Sequence, residues 1–217
     1  MKTYLFSLGF HEDFMIRRLH NTFADKSDNI LLVAPKPIAG ASLRAYQGIQ
    51  SYCSKLFLKE PNLLEIELTD FFDIVKNIST EILQYPEPFI VDVSGGMRLI
   101  GFAIVVSTLA VNKKAKFFIT QEGDNFEIFF ENLELKSLIS NISKEKMAIL
   151  LNIYRNQGIT IDELANVMNR SRKTLINHLI ELKEAGIVFQ KGKNGGYYLS
   201  KLGEIICYRQ SQVLNIK

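Results

Sequence analysis

Hydrophobic positions in the first half of the chain form short continuous runs, separated by longer stretches with helical spacing. Tyr4-Leu5-Phe6-Ser7-Leu8 reads as a strand ended by Gly9, and Phe14, Ile16, Leu19 and Phe23 recur at the spacing of one helix face. A second strand, 29–34, holds Ile30-Leu31-Leu32-Val33 and is closed by Pro35 and Pro37. A helix from about Ala39 to Leu56 follows, then a strand over 63–68. Next comes a helix carrying Phe71, Ile74, Val75, Ile78 and Ile82, which Thr69 or Asp70 is placed to cap. Pro86 and Pro88 end that helix. Phe89 to Val93 is the next strand, 98–111 an apolar helix, 116–120 a strand, and Gly123-Asp124-Asn125 a turn into a return strand over 126–130. Strands that are apolar throughout are buried on both faces. The alternation therefore predicts an α/β domain over residues 1–132, a mostly parallel sheet with a terminal β-hairpin.

Beyond this the rhythm changes. Residues 133–142 read as a linker helix. Ser143 caps a helix bearing Met147, Ile149, Leu150, Ile153 and Tyr154, stopped by Gly158. Thr160-Ile161-Asp162-Glu163 is a capping box opening a short helix to Met168, and Asn169-Arg170 is a turn. Ser171 caps the next helix, with apolar positions at Leu175, Ile176, Leu179, Ile180 and Leu182, and Gly186 ends it. Ile187-Val188-Phe189 and Tyr197-Tyr198-Leu199 flank the Gly- and Lys-rich stretch 191–196, and a last helix runs from about Lys201 to Leu214. Three helices, a hairpin and a helix over 143–217 spell an α+β winged helix-turn-helix domain.

Charge sharpens this division. Residues 1–134 hold 13 basic and 17 acidic side chains, a balance of −4, whereas residues 135–217 hold 13 and 6, a balance of +7. A basic module on an acidic body is the electrostatic pattern of a nucleic-acid binder joined to something else. The two cysteines, Cys53 and Cys207, have no partner spacing, which excludes a disulfide scaffold and a paired-cysteine zinc site. The longest apolar run, 99–111, is shorter than the ~18–20 residues a membrane span needs. The apolar stretch at the N-terminus is too short and acid-flanked for a signal peptide. These features lead us to expect a soluble, cytoplasmic protein.

In the basic half, the helix opened by Ser171 is the expected recognition helix. Ser171, Arg172, Lys173, Thr174 and Asn177 lie near its start with His178 behind them, and the N-terminal part of such a helix enters the DNA major groove. Arg172 can fork onto a guanine and Asn177 can pair with an adenine, while Lys191 and Lys193 on the wing would reach phosphate or minor groove. In the acidic half, two loops follow strands at the sheet's carboxyl end, where open parallel sheets bind ligands. They are Ser7-Leu8-Gly9-Phe10-His11-Glu12-Asp13 and Ser94-Gly95-Gly96-Met97-Arg98. Gly95 and Gly96 let backbone N–H groups approach an anion at a helix start, Ser94 adds a hydroxyl donor, and Arg98 adds a forked positive charge. Neither a G-x-G-x-x-G dinucleotide loop nor a P-loop is present, which argues against NAD and ATP. No His, Cys, Asp or Glu cluster has metal-ligand spacing, so neither metal nor cofactor is expected.

The string Ser7-Leu8-Gly9-Phe10-His11-Glu12-Asp13-Phe14-Met15-Ile16-Arg17, joined to Asp92-Val93-Ser94-Gly95-Gly96-Met97-Arg98, resembles the two ligand motifs of CRISPR-associated Rossmann-fold (CARF) domains. With residues 171–188 similar to a winged-helix recognition helix and its exit, the whole chain resembles the archaeal CARF transcription regulators linked to type I-A CRISPR systems. The resemblance implies a Rossmann-like sensor and a homodimer. The two sensors would share one cyclic oligoadenylate, cyclic tetra-adenylate foremost, and the winged helices would bind promoter double-stranded DNA. It places Ser7, Leu8, Gly9 and Phe10 at the pocket floor, Asp13 and Arg17 at its wall, and Ser94, Gly95, Gly96, Met97 and Arg98 on phosphate and ribose. The loop after the second strand would add a rim through Ala39, Gly40 and Ser42. Asp13 and Arg17 at i,i+4 are equally read as a helix salt bridge. Two alternatives stay open. One is a metal-independent ring nuclease that cleaves cyclic tetra-adenylate, with His11 as base beside Ser94 and Arg98. The other is a repressor sensing another anionic metabolite.

Overall fold

Strand β1 (Thr3–Ser7) pairs in parallel with both β2 (Asn29–Pro35) and β4 (Phe89–Asp92), so it lies at the centre of the sheet. β2 also pairs with β3 (Asn62–Ile66), and β4 with β5 (Ala115–Thr120), again in parallel. β6 (Glu127–Glu131) returns antiparallel to β5, giving the order β3-β2-β1-β4-β5-β6. The computed structural model describes residues 1–121, 126–192 and 195–215; the expected turn Gly123-Asp124-Asn125 lies outside them. The chain divides into two compact units, 1–132 and 133–217.

Alternation along the strands decides which helices cover which face. Tyr4, Phe6, Ile30, Leu32 and Ala34 point to one side, where Met15 and Leu19 of α1 (Asp13–Asn21) and Ala45, Ile49 and Cys53 of α2 (Gly40–Lys55) close over them. Leu5, Leu31, Val33, Val91 and Phe117 point to the other. They meet Ile74, Val75, Ile78 and Ile82 of α3 (Phe71–Ile82) and Ile100, Ala103 and Ile104 of α4 (Arg98–Ala110). Asp70 caps α3, its carboxylate accepting the Phe72 N–H at 2.8 Å. Among the described residues, no helix is long and apolar enough to cross a membrane.

Phe23 departs from the periodicity that placed it on the buried face of α1. The helix ends at Asn21, Phe23 takes a left-handed backbone with φ of 54°, and its side chain is 84% exposed. Helical spacing continued past the last turn carries no burial with it, because the face it describes no longer exists.

The second unit opens with α5 (Asn132–Ile139) and α6 (Lys144–Arg155), the latter capped by Ser143 accepting from Lys146 N. The capping box predicted at Thr160 is formed: its hydroxyl accepts the Glu163 N–H, and the Glu163 carboxylate takes the Thr160 N–H at 2.8 Å. It opens α7 (Ile161–Met168), which ends at left-handed Asn169. Ser171 then caps α8 (Arg172–Glu184). Leu175, Leu179 and Leu182 of α8 pack against Ile149, Leu150 and Ile153 of α6, whereas Ile176, Ile180 and Tyr154 stay exposed. β7 (Val188–Gln190) and β8 (Tyr197–Leu199) form the wing hairpin, and α9 (Lys201–Asn215) packs Ile206 and Cys207 onto the same core.

Candidate functional site

The order of the sheet reverses between β1 and β4, since the chain winds outward from β1 through β2 on one side and from β4 through β5 on the other. The loops leaving these two strands therefore diverge, and a crevice opens at their carboxyl ends. It holds a cavity of about 460 Å³ lined by Leu8, Gly9, Phe10, His11, Phe14, Pro35, Ser42, Ser94, Gly95, Gly96 and Met97.

Glycine shapes this crevice in a way the motif alone did not indicate. A Cβ on Gly9 would come within 2.5 Å of Gly96 N, and one on Gly96, whose φ is +78°, within 2.8 Å of Leu8 O. The two loops thus pack backbone against backbone, and both positions need glycine for that contact as well as for any approach to a ligand. Ser7 is not on the pocket surface. It is 2% exposed, and its hydroxyl donates to Gly95 O, tying the first loop to the second from beneath.

Ser94 is similarly committed. Its hydroxyl donates to Asp92 Oδ1, its N–H donates to the same oxygen at 2.9 Å, and its Oγ accepts the Thr120 N–H at 2.8 Å. Asp92 is anchored by Arg18, whose Nε lies 2.8 Å from Asp92 Oδ2 and whose Nη2 meets Glu127. Arg18 is only 3% exposed, Asp92 2%, and the guanidinium carbon stands 3.7 Å from the centre of the Phe118 ring. A buried guanidinium is tolerated because two carboxylates and an aromatic face replace its water.

The remaining predicted residues are less closely gathered. Arg98 is exposed in the first turn of α4, does not line the cavity and forms no ion pair among the described residues. Asp13 and Arg17 are exposed on α1 and do not line it either. Arg17 lies 5.0 Å over the Phe14 ring and borders a smaller cavity of about 260 Å³ with Arg18, Asn21, Thr120 and Glu127. Of the expected rim, Ser42 lines the pocket together with Pro35, whereas Ala39 and Gly40 do not. Among the described residues, no three His, Cys, Asp or Glu side chains gather as a metal site.

In the second unit, Ser171, Arg172, Lys173, Thr174 and Asn177 are all exposed at the start of α8. Arg172 reaches sideways to Asp162 of α7 at 3.0 Å, a pair with both side chains at least 60% exposed. His178 faces α6 rather than outward. Its Nε2 is 3.4 Å from Glu145, and its Nδ1 is buried with no hydrogen-bond partner among the described residues. Thr174 and His178 line a groove of about 550 Å³ with Lys144, Arg155 and Arg170, three cations the recognition-helix pattern did not include. Lys191 lies 4.6 Å over the Tyr198 ring, and Lys193 lies outside the described residues.

Residues 2–131 match the family model described as the Csa3 CRISPR-associated Rossmann-like domain. The chain is also 36% identical over 204 residues to Csa3 of Saccharolobus solfataricus, a CRISPR locus-related protein named for DNA binding; the match covers 94% of this chain and 86% of that one. The chain belongs to the Csa3 family. Residues 144–198 match a helix-turn-helix domain model. Among solved structures, Can2 of Sulfobacillus thermosulfidooxidans, in complex with cyclic tetra-adenylate, is 10% identical, with a TM-score of 0.45 over all of this chain and 68% of that one. MepR, a transcription regulator of the Staphylococcus aureus multidrug efflux pump MepA, is 16% identical, with a TM-score of 0.33 over 38% of this chain and 68% of that one. Likenesses this low carry neither fold nor ligand across.

In this Csa3-family chain the buried pair that supports the pocket loop, Arg18 and Asp92, is what motif reading passed over. Asp92 was within the quoted motif, and its position at the end of a buried strand was the available signal for a partner. Arg18 had none, because its partners are 74 and 109 residues away.

Proposed function

We propose that this chain is a homodimeric, ligand-responsive transcription regulator of CRISPR–Cas genes, acting in the cytoplasm, that binds cyclic oligoadenylate, cyclic tetra-adenylate foremost, and promoter DNA. The observation that carries the reading is the open cavity at the switch point between β1 and β4, walled by the two motif loops, in a chain whose other unit is a basic winged helix-turn-helix. Gly9, Gly95, Gly96 and Met97 offer a backbone-lined surface at the start of α4, suited to phosphate. Phe10, 71% exposed at the rim, offers a face for stacking a base, and Arg98 can swing onto a phosphate from its exposed site. Support for the dimer comes from α4: beside its buried face it exposes Leu99 and Phe102, and Met97 just before it is exposed at the cavity with Phe10. A two-fold dimer presents every loop twice, which suits a ring of four equivalent nucleotides and a palindromic operator. For the ring to act as a switch, its affinity for the two DNA-binding states must differ by about 1–3 kcal/mol.

The test is calorimetric titration of the purified protein with cyclic tetra-adenylate, followed by chromatography of the recovered nucleotide. The expected outcome is saturable binding near one ring per two chains, with the ring intact. Linear products formed in proportion to protein and time would instead establish the ring nuclease, for which His11 and Ser94 line the cavity. No binding would leave a regulator of another anionic metabolite.

A further inference from the structure

The hydroxyl of Ser94 is held from two sides before any ligand arrives. Its proton goes to Asp92 Oδ1, and one lone pair takes the Thr120 N–H at 2.8 Å. Arg18 settles the direction of the first bond. Asp92 Oδ2 is ion-paired with Arg18 Nε at 2.8 Å, with both side chains almost wholly buried, and an ion-paired carboxylate has no proton to give. Ser94 in this state has no donor left, and one lone pair remains. Donation to a phosphate oxygen would require breaking its bond to Asp92, leaving a buried carboxylate oxygen without its hydroxyl partner. A ligand hydroxyl suits Ser94 instead. In a 3′–5′ cyclic oligoadenylate the only hydroxyls are the ribose 2′-OH groups, since the 3′ and 5′ oxygens are spent on phosphodiesters.

We propose that Ser94, fixed as a hydrogen-bond acceptor by Asp92 and Arg18, selects a ribonucleotide ring over its 2′-deoxy counterpart. Asp92 and Arg18 are positioning residues for that contact. The inference rests on the cyclic oligoadenylate reading above and names the atom through which it discriminates.

The experiment compares the affinities of cyclic tetra-adenylate and cyclic tetra-deoxyadenylate for the wild-type protein, Ser94→Ala and Asp92→Asn. Wild type is expected to favour the ribo ring by about tenfold or more, the effect of one or two hydrogen bonds with the partner left unpaired. Ser94→Ala should shrink the ratio to below about threefold, chiefly by weakening the ribo ring. Asp92→Asn should also narrow it, because an amide N–H donating to Ser94 takes up its last lone pair and frees its proton for a phosphate oxygen, which both rings carry. A residue that merely held the loop in shape would weaken both rings together. Tight ribo binding with a wild-type ratio near one, or a ratio that survives Ser94→Ala, overturns the inference and leaves the function standing. Failure of both rings to bind overturns the cyclic oligoadenylate reading and this inference with it. Should Asp92→Asn fail to fold, the Ser94→Ala ratio decides alone.

Discussion

Replacing Arg18 with methionine is expected to destabilise the first unit by about 3–5 kcal/mol, the usual cost of leaving a buried charge without its partner. Methionine keeps most of the apolar volume against Phe118, so the loss reports the charge rather than a cavity. Asp92, 2% exposed, would keep only its bonds from Ser94, and its ionised form would lie uncompensated in the core. Glu127 is the weaker partner: its side chain is 34% exposed and can turn to water. Glu127→Gln should therefore cost only about 1 kcal/mol or less. Arg18→Met combined with Asp92→Asn should recover part of the loss, because no buried charge is then orphaned. Urea unfolding of the four proteins checks this, and a loss below about 1 kcal/mol for Arg18→Met would mean that water reaches the pair.

The double variant Arg172→Ala with Lys173→Ala is expected to lower specific DNA affinity by about 100-fold or more, since each good base contact discriminates by roughly 1–3 kcal/mol. The ion pair between Arg172 and Asp162 does not protect against this. Both side chains are at least 60% exposed, and a surface pair of that kind contributes about 0–1 kcal/mol, so Arg172 can leave Asp162 for a base at little cost. Asp162→Asn should accordingly tighten DNA binding by a small factor and change nothing in ring affinity. Footprinting of the promoter and calorimetry with the ring separate the two readouts. A double variant that still footprints would place the reading surface elsewhere, with the Lys144, Arg155 and Arg170 groove as the next place to look.

Much of the architecture was written locally. Thr160 with Glu163, Ser143, Ser171 and Asp70 each carried their capping chemistry within three residues, so those helix starts were legible without any tertiary knowledge. The strands were legible because burial on both faces removes polar residues from them. What could not be read depended on distance. Arg17 and Arg18 are adjacent arginines on one amphipathic helix, yet one is exposed and the other buried, a difference set by partners 74 and 109 residues away. The Gly-Gly signal at 95–96 marked the right place for a close approach but not its object, which is first the loop of Gly9. His178 followed Asn177 into the expected DNA face, although the rotation of one helical residue carries it round toward Glu145.

The two thiols described at the start as lacking partners have a use of their own. Cys53 on α2 and Cys207 on α9 are 1% and 0% exposed, and burial pushes each up to about 11. At neutral pH little of either is the reactive thiolate, and even that is out of reach until its surroundings open. One lies in each compact unit. Alkylation by iodoacetamide, followed peptide by peptide, would then time the opening of each unit separately, and Arg18→Met should hasten the modification of Cys53 while leaving that of Cys207 unchanged. Each half of the molecule carries its own clock.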